Sequence, residues 1–292
     1  MNPGSTARAL FLALLLSVFP AKAQIDPLAA LERSVSPFIQ VDNPGMEGYE
    51  AQVDFSGSAL LGLLQMTKTR SLEPPRFVER MDSGGRFTMS AANESYPEDV
   101  IREVEIQLLP FQLFFTTTRD ANRKELLKLR GRAEAEMVET ELFGSACVRI
   151  DLAPKSGELM TQARMLPNGD RRVSRTTMTS YWIDTSLGAI RRIVSRSESQ
   201  NETSDGTPTG ASETKEMTYD VDYERFAGRV VPVRIVQSID GYDTFEQRIS
   251  YRLEEDHAVF DRRDTDYFQA DRLGLRATAR ASYESYVFGR PD

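Results

Sequence analysis

The chain has one cysteine, one histidine and one tryptophan in 292 residues. A lone cysteine, Cys147, cannot close an internal disulfide, so an oxidising compartment would add nothing covalent to the fold. His257 has no second histidine or cysteine near it, whereas zinc takes three or four ligands at workable spacing, so no metal site is expected. Its acidic neighbours Glu254, Glu255 and Asp256 read as a polar strand end with the imidazole at the surface. Nothing around Cys147 or His257 would activate a nucleophile, and Cys147 reads as a small buried thiol. The chain lacks a glycine-rich phosphate loop and a Gly-x-Ser-x-Gly elbow. Asp220, Asp222, Asp261, Asp264 and Asp266 could supply carboxylate pairs, but Asp220 and Asp222 project from the polar face of one strand and read as solvated. No catalytic residue, metal or cofactor is expected.

Long apolar runs are also missing. The one candidate, Ala9 to Phe19, is too short to span a membrane. A spanning helix needs about 20 residues. Arg8 precedes the run and Ala21-Lys22-Ala23 follows it, the small-x-small pattern of a signal-peptidase site. Residues 1–23 therefore read as a cleaved export signal, with Gln24 opening the mature chain and the periplasm as its destination. Without Arg8 and Lys22, the 36 basic residues fall to 34 against 44 acidic ones, a net charge of about −10. That balance disfavours nucleic acid as a partner. The charges are interspersed, which argues against a polybasic membrane-binding segment.

What the chain has in quantity is alternation. Leu28, Leu31, Val35 and Phe38 recur at helical spacing and predict a helix over 26–40, ended or distorted by Pro37. From Glu47 the period drops to two: Tyr49, Ala51, Val53 and Phe55 alternate with polar residues. Strands are predicted at 59–69, 77–81, 86–91, 137–143, 147–152, 158–166, 173–183 and 189–197, and three more follow before Leu253. Asp240-Gly241 is a strong hairpin signal, since both residues tolerate positive φ. Residues 199–215 are polar and aperiodic and read as a mobile, dispensable hairpin loop. Residues 269–292 carry mixed signals and read as a C-terminal extension.

The stretch 93–132 breaks the pattern. Ser95-Tyr96-Pro97-Glu98 fits a capping box, after which Val100, Val104 and Leu108 lie four apart; Val104, Ile106 and Leu108 also alternate. Leu126, Leu127 and Leu129 suggest another helix over 121–130. About a dozen half-apolar strands with little helix to cover them call for an α+β fold: a strongly curved antiparallel sheet of about 11–12 strands wrapped round a few helices as plug or lid.

Glu141-Leu142-Phe143-Gly144-Ser145-Ala146-Cys147-Val148-Arg149-Ile150-Asp151-Leu152-Ala153-Pro154-Lys155 resembles a hairpin of the LolA/LolB-like superfamily of periplasmic lipoprotein carriers. Tyr181-Trp182-Ile183-Asp184-Thr185-Ser186-Leu187-Gly188-Ala189-Ile190-Arg191-Arg192 is similar to that family's hairpin of Trp-Ile-Asp, small turn and arginine. Phe226-Ala227-Gly228-Arg229-Val230-Val231-Pro232-Val233-Arg234-Ile235 resembles its Gly-x-x-Val-Pro-x-Arg-Ile strand. The matches run in order within residues 47–268 and place a single domain at 24–268. The resemblance implies a half-barrel whose helices close an apolar cavity for acyl chains.

Leu109, Phe111, Leu113, Phe114 and Phe115 form the most apolar mature segment, with Pro110 inside it. Two readings fit: core beneath the sheet, or a lid hinged at Pro110 whose rings line a lipid cavity with Phe87, Met89 and Trp182. Trp182 equally suits a packing anchor. The expected function is a non-catalytic carrier of lipid or lipoprotein acyl chains toward the outer membrane, with inner- or outer-membrane transport proteins as partners. The alternative is an envelope interaction or sensor module that carries no lipid.

Overall fold

Alternation becomes thirteen antiparallel strands and two helices in the computed structural model, which describes residues 26–37, 46–57, 76–81, 87–91, 119–165, 169–268 and 276–288. In chain order the elements are α1 (Pro27–Arg33), β1 (Met46–Gly57), β2 (Arg76–Met81), β3 (Phe87–Ala91), α2 (Arg119–Arg132), β4 (Ala133–Leu142) and β5 (Ser145–Pro154). They continue as β6 (Met160–Met165), β7 (Arg171–Asp184), β8 (Ala189–Glu202), β9 (Pro208–Phe226), β10 (Arg229–Ile239), β11 (Tyr242–Glu254), β12 (His257–Phe268) and β13 (Arg276–Phe288).

One curved, unclosed sheet holds all the strands in the order β3-β2-β1-β13-β12-β11-β10-β9-β8-β7-β5-β4. The long β7 serves two neighbours: its first half pairs with β6, its second with β5. The predicted strand at 59–69 and the whole 93–118 segment lie outside the described residues.

Local chemistry sets the boundaries. Asp26 caps α1, accepting from the Leu28 N–H at 3.0 Å, and Pro27 occupies the first turn, where its missing N–H costs nothing. The helix stops at Arg33, short of the expected residue 40. Ser34 turns extended and its hydroxyl donates back to the Ala30 carbonyl at 2.8 Å. Ser36 precedes Pro37, a position that disfavours helix. Val35 instead forms a parallel bridge to Ala189, its N–H donating to the Gly188 carbonyl at 2.8 Å. The Asp240-Gly241 hairpin is as expected: both residues have positive φ, which this pair tolerates.

Two expectations fail. Residues 199–215 are strand, not loop: β8 runs to Glu202 and β9 begins at Pro208, leaving a five-residue turn in which Gly206 has a positive φ. Composition hid this because the hairpin end is held by polar groups. Arg175 donates to the Glu202 carboxylate and Arg171 lies 3.1 Å from it, while Thr203 and Thr207 pair across the turn at 2.9 Å. Nor is the C-terminus an appendage. Residues 276–288 form β13, inserted between β12 and β1, with Ala281 and Tyr283 buried.

The arginine hydrogen bonds hold the Glu202 carboxyl below its ordinary value of 4.5. A carboxyl depressed in the folded state stabilises above its unfolded pKa, and the contribution disappears as pH falls through the folded value. Glu202→Gln should therefore lower the urea midpoint at neutral pH and converge with wild type in acid. Exchanging residues 201–212 for a glycine-rich turn should lower the neutral midpoint further. A variant indistinguishable from wild type at neutral pH would show that the hairpin end is not held by this contact.

Candidate functional site: the inner face of the sheet

The two faces of the sheet are chemically opposite. The outer face is a lattice of ion pairs across strands. Arg192 binds Asp220 through two bonds of 2.6 and 2.9 Å; Arg234 reaches Asp222 at 3.3 Å and Glu246 at 2.7 Å. Arg248 lies 2.8 Å from Glu246, Arg280 3.0 Å from Asp264 and Arg76 3.3 Å from Asp54. The solvated carboxylates expected from alternation are thus paired with arginine, though exposed pairs of this kind contribute little to stability.

The inner face carries the buried residues, in an aliphatic and an aromatic half. The aliphatic half joins Ile150, Leu152, Ile183, Ile190 and Ile193 to Leu28 and Leu31 of α1, with Leu126 and Leu129 of α2 against them. Ion pairs Arg123–Glu32, at 3.1 Å, and Arg130–Asp26 tie the two helices together. Leu28 and Leu31 are the helical face seen in the sequence, and they explain why this short helix docks here.

The aromatic half lies toward β1, β2 and β11–β13. Phe226, Tyr251, Phe260, Tyr283 and Tyr49 follow one another with ring centroids 6.0, 5.4, 5.2 and 5.0 Å apart, and Tyr286 lies 5.9 Å from Tyr49. Several hydroxyls are satisfied within the fold: Tyr223 donates to Ile190 carbonyl at 3.0 Å, Tyr251 to Pro232 carbonyl at 2.8 Å and Tyr286 to Phe260 carbonyl at 2.6 Å. Burial raises the pKa of each of these three donors, and in the aliphatic half it pushes Tyr181 up to about 12, so all four phenols remain neutral. Tyr251 meets Pro232 because the proline sits at a bulge between β9 and β10, one of the few places a central strand accepts it.

Within this half lies a buried ion pair. Arg263 donates to Glu79 at 2.7 Å, and the Tyr49 hydroxyl donates to the other carboxylate oxygen at 2.8 Å. Glu79 is 0% and Arg263 5% exposed. Burial pulls the Arg263 pKa down, but the charge and hydrogen bond of Glu79 together with the neighbouring Tyr283 and Tyr49 outweigh it and leave the guanidinium raised. Gln247, also fully buried, donates to Thr265 at 3.0 Å while its Oε1 has no hydrogen-bond partner among the described residues. The alternation Phe77-Glu79-Met81 was the available signal for the carboxylate.

The proposed lid residues Leu109, Phe111, Leu113, Phe114 and Phe115 lie outside the described residues. Phe87 and Met89 occupy register positions opposite Met81 and Glu79; only their backbone is described. Trp182 is half-buried on the outer face, with the Arg149 guanidinium 5.9 Å from its ring centroid, so it does not join the inner-face residues. Sequence reading missed the aromatic half, because Tyr283 and Tyr286 lie in the presumed extension.

Cys147 is buried, which together with Asp184 raises its thiol pKa. His257 is half-buried rather than at the surface: its ring stacks on Phe288 at 4.6 Å. Cys147 and His257 lie on β5 and β12, at opposite reaches of the sheet. Asp184 shapes the turn after Trp182-Ile183. Burial opposes its charge, but donors from Ser186, at 2.9 and 2.6 Å, and from Leu187, at 3.1 Å, hold its carboxyl below the usual range. Among the described residues no three metal-ligating side chains cluster, and no helix is long and apolar enough to cross a membrane.

The class so defined is a wide, open antiparallel sheet with an apolar inner face. No family model and no curated protein matches the chain. Among solved structures, the complex of Pseudomonas aeruginosa MucA and MucB is similar at 9% identity, covering 91% of this chain and 97% of that chain, with a TM-score of 0.18. MucB in complex with the MucA(peri) segment has 8% identity, the same coverages and the same TM-score. So weak a superposition leaves fold and function to be argued from the chain's own residues.

Proposed function

We propose that this is an exported, non-catalytic binding protein that holds acyl chains of a lipid or an acylated protein against the inner face of a half-barrel, with residues 109–115 as its lid. One observation carries the reading: the inner face is aliphatic on one half and aromatic on the other, and Tyr223, Tyr251 and Tyr286 spend their hydroxyls on the fold's own carbonyls. Rings engaged in this way offer mainly carbon to a ligand, which favours an apolar one. Each methylene moved onto it from water contributes about 0.8 kcal/mol, which makes a single acyl chain a substantial ligand.

Native mass spectrometry of the exported protein, followed by solvent extraction, tests this. The expected spectrum has a chain beginning at Gln24 with extra mass that extraction removes. Phe114→Asp should abolish binding of a fluorescent fatty acid with an unchanged far-UV circular dichroism spectrum, because the new carboxylate would face the chain unpaired. A wild-type protein with neither co-purified lipid nor fatty-acid binding would overturn the carrier reading in favour of a protein-interaction module.

A further inference from the structure

An open sheet leaves its outermost strands unpaired on one side, and β4 is such a strand among the described residues. Its ten residues pair with β5 from Ala133↔Pro154 to Leu142↔Ser145 without a bulge. Straight, unbulged edges are those another chain can extend, since they offer an uninterrupted row of backbone donors and acceptors. Glu134 to Glu139 are all exposed, so both faces of the strand meet solvent at its centre. Met137 and Val138 stand at that centre, 37% and 38% exposed.

The charge of this edge is uncompensated. Glu134, Glu136, Glu139 and Glu141 make no ion pair among the described residues, although most of the outer-face carboxylates further along the sheet are held by arginine. Opposite them on β5 stand Ala153, Asp151, Val148 and Ala146, none of them cationic. The nearest β5 cation, Arg149, is engaged by Asp151 at 2.9 Å and lies over Trp182.

The strand reads Glu-Ala-Glu-Met-Val-Glu-Thr-Glu from residue 134 to 141, symmetric about the Met137–Val138 bond. A second copy joined through the same edge pairs residues of like parity, so Glu134 falls against Thr140 or Leu142 and Glu139 against Ala135 or Met137. Such a copy adds four more glutamates to the seam and no cation to meet them. A cationic strand meets the opposite situation in either orientation.

We infer that the β4 edge docks an extended, basic segment of a partner protein, which joins the sheet as an added strand with cationic side chains facing the four glutamates and an apolar pair facing Met137 and Val138. The inference stands apart from the acyl-chain reading, since β4 uses none of the proposed cavity residues.

The test titrates the full exported protein with a blocked octapeptide, Lys-Thr-Lys-Val-Val-Lys-Thr-Lys, and with a second of equal charge in which both valines are proline. The valine peptide should bind and slow amide hydrogen exchange in β4; the proline peptide should bind at least about tenfold more weakly, since proline cannot donate to a strand ladder. Glu136→Lys combined with Glu139→Lys should weaken the valine peptide and admit its counterpart with glutamate in place of lysine. Equal binding of the two wild-type peptides would reduce the site to counter-ion attraction. No binding, or protection confined to other strands, would overturn it outright. Should the double variant fail to fold, the comparison of the two peptides on wild type still decides.

Discussion

Glu79→Ala should cost about 3–5 kcal/mol of folding stability, the range expected when one partner of a buried ion pair is removed and the other stays charged. Arg263 is nearly inaccessible, and its side chain spans from β12 to Glu79 on β2 behind the intervening strands β13 and β1. The truncation strips the guanidinium of its carboxylate and the Tyr49 hydroxyl of its acceptor. Replacing both partners, Glu79→Met with Arg263→Met, should recover most of the loss, because two apolar side chains leave no buried charge. Urea unfolding of the two single variants and the double variant measures the coupling. A loss below about 1 kcal/mol in Glu79→Ala would mean that water reaches the pair.

Phe245→Ala should cost about 3–5 kcal/mol, the usual range for deleting a buried ring. Phe245 is 2% exposed on β11, its ring 6.5 Å from Tyr219, and its neighbours Ile235 and Gln247 are themselves buried. The sheet around it is paired on both sides by β10 and β12, so it has little freedom to collapse into the space left. Leu253 lies on the same strand and is 58% exposed. Leu253→Ala should change stability by no more than about 0.5 kcal/mol, as is usual for a surface substitution. Both residues lie on the inner-face parity of β11, so the pair of substitutions reads out how far along the strand the core extends. Comparable losses in both would mean that the strand end at Leu253 is covered in solution.

The free edge and the apolar face make different demands on the molecule. The proposed ligand burial on the inner face needs the sheet to stay open, whereas the proposed docking at the β4 edge needs a strand kept straight and unpaired. An unclosed sheet supplies both, and a closed barrel would remove the edge altogether.

Period-two alternation was sufficient to assign most strands and to say which of their residues face inward. Tyr49, Ala51 and Val53, or Tyr219, Val221 and Tyr223, could be placed on one face because successive side chains of a strand point opposite ways. Turn chemistry placed the hairpin at Asp240-Gly241, and the spacing of Leu28 and Leu31 placed the first helix, though not its end. These are local effects, decided within a few residues.

Only the tertiary structure decided which strands are neighbours. β13 lies beside β1, joining the two ends of the chain, and Glu79 meets Arg263 184 positions away. Alternation names a face and never a partner, so neither the aromatic half nor the buried pair was legible from spacing. The paired strands within 199–215 read as loop for a related reason: they are polar on both faces, and cross-strand bonds with Arg171 and Arg175 hold the hairpin end where apolar burial does not. What a sequence states through hydrophobicity is readable from one strand at a time. What it states through hydrogen bonds and charge becomes readable only once the pairing exists.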